Sequence, residues 1–118
     1  MEELEAYRLT LNQRQAMEQV SQMQRVAKAT EVARQAAALL RGKFKAERVV
    51  VFGSLVHGHW FSPTSDIDLA VWGLDALTHL TAVAHLQDLE PEIKVDLVRM
   101  ERCKPELEQV ILQEGRSL

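Results

Sequence analysis

The chain is short of the residues that build cross-linked or membrane-embedded proteins. Its 118 residues include one cysteine, Cys103, which excludes an internal disulfide framework and a metal site made of several cysteines. No apolar run approaches the roughly 20 residues that span a bilayer. The first residues, MEELEAYRLT, are polar and acidic, unlike a secretory signal. We therefore expect a cytoplasmic protein without a membrane segment.

The chain also has no excess of positively charged residues. The chain carries 14 Lys and Arg residues against 17 Asp and Glu residues, for a net charge of −3. Proteins that bind nucleic acid by neutralising many phosphates need clustered basic residues, so direct nucleic-acid binding is not expected. A small anionic ligand held by backbone N–H groups is compatible with this charge. The length allows one domain with a modest core, which help from a partner or a second copy would support.

Glycine and proline are absent from residues 2–41, which are rich in the helix formers Ala, Gln, Glu, Leu and Arg. Gly42 supplies a C-terminal stop. We predict one long helix. A break near Ser21, where polar residues are dense, is the alternative. Apolar residues in its second half follow helical spacing, and those of its first half form a sparser face that would pair with another chain or fray. We divide the chain into this docking or dimerisation helix, residues 1–42, and a core, residues 43–118.

Three short apolar runs predict strands. They are Arg48–Phe52, Ile67–Trp72 and Ile93–Val98. A helical turn is expected between Leu55 and His59, a helix between Ala76 and Leu86, and a last helix from Lys104 or Pro105. This order predicts an α/β (α+β) domain, in which a small mixed sheet of three to four strands is flanked by helices.

Gly53 and Ser54 follow the first predicted strand and form a candidate binding element. Glycine lets the backbone turn sharply and lets a ligand approach without a Cβ in the way. Backbone N–H groups at such a turn favour a phosphate, and the Ser54 hydroxyl can donate one more hydrogen bond. Many Gly-Ser pairs are ordinary turns, and Ser often only caps a helix.

Asp66 and Asp68 stand at the start of the second predicted strand. Side chains two residues apart on a strand point to the same side, so the two carboxylates should converge. A divalent cation removes their repulsion, and Mg²⁺ prefers such oxygen ligands together with phosphates and water. The alternative is that both side chains cap a turn or lie in solvent.

Asp96 lies in the third predicted strand, where a lone buried charge would be costly. If this strand lies beside the one that carries Asp68, a third carboxylate joins the metal site, and two metal ions could be held. Asp96 could then also accept the proton of an attacking hydroxyl group. The alternative is an edge strand with alternating charges, in which Lys94 only balances Asp96.

The segments FGSLVHGHWFSPTSDIDLAVWG and KVDLV together resemble the minimal nucleotidyltransferases (MNT) of the DNA polymerase beta superfamily. The resemblance covers residues 49–98 and rests on a Gly-Ser turn, an Asp-x-Asp strand and a third Asp on a later strand. It implies the nucleotidyltransferase fold and catalysis with Mg²⁺ and ATP. Catalysis and metal binding would fall to Asp66, Asp68 and Asp96, and nucleotide binding to Gly53 and Ser54.

The loop between these motifs departs from the family pattern. The spacer from Leu55 to Ser65 is one residue longer than the commonest form, and Leu55 and His57 stand where many relatives have arginines. His57 or Arg48 are candidates to replace those arginines. His57 and His59 do not by themselves make a zinc site. Trp60, in the same loop, is interpreted as a packing residue.

The resemblance also implies a biological role. Many MNT proteins are antitoxins, and some silence a partner HEPN-type toxin by transferring AMP from ATP to one of its tyrosines. The rival hypothesis is a catalytically weak antitoxin that blocks its partner by contact alone. The missing arginines favour this rival, and the three carboxylates favour the enzyme. A haloacid-dehalogenase-like phosphatase is disfavoured because the apolar residues follow the Asp pair, and a calcium loop lacks a glutamate at the required offset.

Overall fold

The computed structural model describes residues 2–58 and 61–118, so His59 and Trp60 lie outside the described residues. Helix α1 runs from Glu2 to Gly42 without interruption. The predicted break near Ser21 is therefore wrong, because polar helix formers continue the helix as well as apolar ones do. The second half of α1 packs against the sheet. Its buried residues are Ala29, Val32, Ala33, Ala36, Ala37 and Leu40.

The first half of α1 projects beyond the rest of the molecule. A 41-residue helix is about 60 Å long, and the longest dimension of the molecule is 66 Å. Residues 2–21 are exposed throughout. The exposed apolar side chains of this half are Leu4, Tyr7, Leu9, Leu11, Met17, Val20 and Met23. Docking or self-pairing through residues 1–42 stays a prediction, and the second half of the helix contributes to the core.

Four strands form one mixed sheet in the order β3-β2-β1-β4. They are β1 (Arg48–Phe52), β2 (Ile67–Trp72), β3 (Val95–Arg99) and β4 (Arg116–Ser117). Strand β1 pairs antiparallel with β2 and β4, and β2 pairs parallel with β3. The predicted sheet of three to four strands is confirmed. The short C-terminal strand was not anticipated, and its pairing is extended by the Leu118 N–H, which donates to Val49 O at 3.1 Å.

Two further helices complete the fold. Helix α2 (Ala76–Gln87) connects β2 to β3, since parallel neighbours need a crossover connection. Helix α3 (Pro105–Glu114) follows β3 after a 3₁₀ turn at Met100–Arg102. The helical turn expected between Leu55 and His59 instead begins earlier, as a 3₁₀ turn over Gly53–Leu55. None of the described helices is long and apolar enough to cross a membrane.

The two faces of the sheet are covered unequally. Side chains alternate along a strand, so Val49, Val51 and Leu69 face the large core beneath α1 and α2. Val50 and Ala70 face the other side, where a smaller cluster includes Ile111 of α3. By the same alternation, the even-numbered positions of β2 and β3, which include Asp68 and Asp96, belong to this thinly covered face.

Candidate active site

Strand pairing places Asp68 and Asp96 in one row across the sheet, next to the turn at Gly53. Asp68 pairs with Phe52 of β1 on one side and with Asp96 of β3 on the other. Gly53 directly follows Phe52, so the Gly-Ser turn lies on the β1 side of Asp68. Asp66 precedes β2, which begins at Ile67, and the same-face argument from strand spacing therefore does not apply to it.

Gly53 lies directly against the Asp68 carboxylate. Its φ is +75°, which side chains rarely adopt. A Cβ at this position would overlap Asp68 Oδ2 and lie 3.2 Å from Asp68 Cγ. The glycine is therefore required by the carboxylate as well as by the turn, a reason that its sequence position alone did not reveal.

Ser54 forms part of the 3₁₀ turn and is half-buried. Within residues 2–58 and 61–118, its hydroxyl group has no hydrogen-bond partner, and the turn has no side-chain cap. The alternative in which Ser54 only caps a helix is thus not what the structure shows. Its hydroxyl group remains available to a ligand at the turn, and phosphate binding by Gly53 and Ser54 stays a prediction.

The electrostatics of Asp68 connect the three carboxylates. Burial, followed by the negative charges of Asp96 and then Asp66, raises the pKa of Asp68 to about 6, although Lys94 acts to lower it. Lys94 Nζ lies 3.4 Å from Asp96 Oδ1, so it balances the charge of Asp96 as the alternative reading expected. Asp66 and Asp96 are thus close enough to Asp68 for their charges to act on it.

These carboxylates fit a cation that is held partly by its substrate. In the part of the chain that the structure describes, no three His, Cys, Asp or Glu side chains form a ready-made metal cage. Burial is the main cause of the raised pKa of Asp68, and repulsion by Asp96 and Asp66, which a nearby cation would relieve, adds to it. Mg²⁺ commonly takes one or two protein carboxylates and completes its shell with phosphates and water. Metal binding by Asp66, Asp68 and Asp96 therefore stays a prediction.

Arg48 and His57, the two candidates to replace the missing arginines, both make contacts elsewhere. The Arg48 guanidinium lies over the Trp72 ring, 4.8 Å from its centroid, at the opposite end of β1 from Gly53. Five residues of strand separate the two by about 16 Å, so Arg48 cannot replace the arginines. His57 Nε2 lies 3.5 Å from Glu114 Oε2 of α3 and is engaged there.

Comparison with known proteins agrees with this arrangement. The family profile "Polymerase beta, Nucleotidyltransferase" matches residues 34–118. A solved structure described as a minimal nucleotidyltransferase is 31% identical, with a TM-score of 0.63 over 77% of this chain and 94% of its own. None of the curated proteins matches the chain.

Two crystal structures of toxin-antitoxin complexes are also similar. One contains AMP-PNP and is 27% identical, with a TM-score of 0.62 over 72% of this chain and 70% of its own. The other is a MntA-HpeT complex in which two aspartates, two positions apart, are replaced by glutamate. It is 25% identical, with a TM-score of 0.60 over 72% of this chain and 70% of its own. The profile match and the 31% identical relative show that the chain is a nucleotidyltransferase that belongs to the polymerase beta type and, within it, to the minimal nucleotidyltransferases.

Proposed function

We propose that the chain transfers AMP from Mg²⁺-bound ATP to a tyrosine hydroxyl group of a partner HEPN-type toxin, and that it acts in this way as the antitoxin. The observation that carries the proposal is the row formed by Gly53, Asp68 and Asp96 across three strand ends. Two similar proteins support it, because they are toxin-antitoxin complexes and one of them holds an ATP analogue. The replaced aspartate pair in the other has the same spacing as Asp66 and Asp68.

In the proposed reaction each reactant binds at a different part of this row. Backbone N–H groups of the turn and the Ser54 hydroxyl group hold the phosphates of ATP. Asp66 and Asp68 would hold Mg²⁺, which when bound would supply positive charge next to the α-phosphate of the transferred AMP. The acceptor oxygen forms a bond to the α-phosphorus, and the bond from this phosphorus to the bridging oxygen of the β-phosphate breaks. Diphosphate leaves with that electron pair, and the acceptor proton passes to the Asp96 carboxylate.

A second candidate function is an antitoxin that neutralises its partner by contact alone. The environment of the turn favours it, because Leu55 offers no charge and Arg48 lies at the far end of β1. If the chain binds the triphosphate only weakly, binding to the partner would be its main activity. The two functions differ in whether the carboxylates are needed.

Transfer of label from α-phosphate-labelled ATP to a purified HEPN-type partner separates these functions. We expect Asp66→Asn and Asp68→Asn each to lower the rate of transfer about a hundredfold or more, because each removes charge from the reacting centre. Asp88→Asn, at the exposed C-terminal end of α2, is the matched control and should label the partner like the wild type. Transfer that survives both active-site substitutions would refute the catalytic proposal. Neutralisation of the partner that survives them would favour the contact antitoxin.

A further inference from the structure

The order of Gly53, Asp68 and Asp96 across the sheet indicates the side from which the acceptor hydroxyl group approaches. The Gly53 turn lies on the β1 side of Asp68, and Asp96 lies on the β3 side. In phosphoryl and nucleotidyl transfer the attacking and leaving oxygens are roughly in line across the phosphorus. If the leaving diphosphate lies at the turn, the acceptor hydroxyl group must approach from the β3 side. The side chains at the start of β3 are therefore the ones that meet the acceptor.

Lys94 is the basic side chain at that position. It precedes β3 by one residue, and its Nζ lies 3.4 Å from Asp96 Oδ1. About 65% of the Lys94 side chain is exposed, against 42% for Asp96, so an incoming group can reach the ammonium. Lys94 also acts on the charge of Asp68, and it lies beside the start of β2, where the Ile67 N–H donates to Lys94 O at 2.9 Å. Lys94 thus lies on the β3 side of the reacting centre, with β2 between it and the turn that follows β1.

We propose that Lys94 is a catalytic residue that binds the acceptor oxygen and stabilises the negative charge which this oxygen develops as its proton moves to Asp96. The proposal rests on the proposed function. Lys94 keeps its own three protons throughout, and the bonds that form and break are those of the transfer step given above. It adds to that step an electrostatic partner for the attacking oxygen.

Tyrosine chemistry explains why such a partner is needed. A tyrosine hydroxyl has an ordinary pKa of about 10, so almost none of it is ionised near neutral pH. A positive charge within hydrogen-bond distance favours the ionised form. Removing one such donor from a reacting centre costs about a hundredfold or more in buried sites, and the exposure of Lys94 reduces this to about tenfold.

Lys94→Met and Lys94→Arg test the proposal in the label-transfer assay, and Lys104→Met, which removes an exposed positive charge ahead of α3, serves as the matched control. We expect Lys94→Met to lower kcat about tenfold near neutral pH, and Lys94→Arg to recover most of it. The loss should shrink as the pH approaches about 10, where the acceptor ionises unaided. It should also shrink when the acceptor is a fluorinated tyrosine, whose hydroxyl group is more acidic. Calorimetry should show Mg²⁺-ATP affinity within about twofold of wild type, because the phosphates lie on the other side of Asp68.

Several results would overturn the proposal. A wild-type kcat for Lys94→Met would do so, as would an equal loss for Lys104→Met. A loss that does not change with pH or with the acidity of the acceptor would reduce Lys94 to a counter-ion of Asp96. A fall in Mg²⁺-ATP affinity of more than about tenfold would assign Lys94 to the nucleotide instead. If the wild type labels no partner, the proposed function itself fails and the role of Lys94 fails with it, an outcome distinct from transfer that ignores Lys94.

Discussion

Replacing Asp68 with Asn should stabilise the protein at neutral pH, although it removes the central carboxylate of the site. Burial, with Asp96 and Asp66, raises the pKa of Asp68 from 3.8 to about 6. Because the folded-state pKa lies above the unfolded value, folding favours the protonated form. The stability that this form contributes is fully present below pH 3.8 and is lost as the pH rises to about 6. Asn is neutral and does not titrate, so the variant should keep that stability.

The size of the effect follows from the shift and from the exposure of the side chain. A rise of about two pKa units corresponds to about 3 kcal/mol of unfolding free energy when it is fully expressed. Asp68 is only half-buried, and water screens the repulsion, so we expect about 1 kcal/mol. In a chain of this size that amounts to a rise in Tm of about 3–6 °C.

Thermal unfolding of wild type and Asp68→Asn, measured without divalent cations at a series of pH values, tests this expectation. The two Tm values should coincide near about pH 4 and separate fully above about pH 6. Asp88→Asn is again the matched control, because it removes an exposed carboxylate that is not among the candidate site residues. Added Mg²⁺ and ATP should raise the Tm of the wild type more than that of Asp68→Asn, since ligands stabilise the state that binds them.

A gap in Tm that is the same at about pH 4 and about pH 8 would show that the titration of Asp68 does not cause it. A variant that is less stable than wild type throughout would show that Asp68 makes net favourable contacts. Either result would remove the evidence that three carboxylates repel one another at this place, and with it the physical reason for a cation there.

Two glycine substitutions test how the site and the sheet are built. Gly53→Ala should abolish measurable ATP binding in calorimetry, because its Cβ would enter the space of the Asp68 carboxylate. Gly58→Ala is the control, because Gly58 also has a positive φ, +55°, but no described atom lies within 4 Å of its Cβ. Equal ATP affinities of the two variants would contradict the predicted contact. Gly115→Ala should lower stability by about 1–3 kcal/mol, because its Cβ would overlap α3 and a β1 side chain. Gly42→Ala is the control, because no described atom lies within 4 Å of its Cβ. If chemical denaturation shows the same loss of unfolding free energy for both variants, β4 is not held as tightly as the structure indicates.

Elements with a strong local signal were predictable from the sequence. Strands β1 and β2 have the bounds that their apolar runs indicate, because Gly53 and Gly73 end them. Helix α1 ends at Gly42 as expected. Strand β4 carries no such signal, because its two residues, Arg116 and Ser117, are polar and join the sheet through backbone pairing with β1. A strand made only by its neighbour cannot be read from its own residues.

The residues of the candidate site were predictable from the sequence, but the pairing register of β2 and β3 was not. The sequence left open whether the strands of Asp68 and Asp96 are neighbours, and their direct pairing depends on how α2 carries the chain from β2 to β3. A shift of one residue would turn Asp96 to the opposite face of the sheet. The argument that Asp66 and Asp68 point to the same side treated Asp66 as a strand residue, although β2 begins at Ile67. Register and strand ends depend on tertiary packing, which a single segment does not contain.

The unequal cover of the sheet explains why the carboxylates sit where they do. Ile67 and Leu69 are completely buried under α1 and α2, and they fix the backbone on both sides of Asp68. Asp68 points to the other face, where α3 covers the sheet only in part and leaves the carboxylate half-buried. Burial on one face thus supplies rigidity, and openness on the other supplies access for ATP and an acceptor. A catalytic carboxylate needs both, because full burial would keep it protonated and a mobile loop would not hold its position.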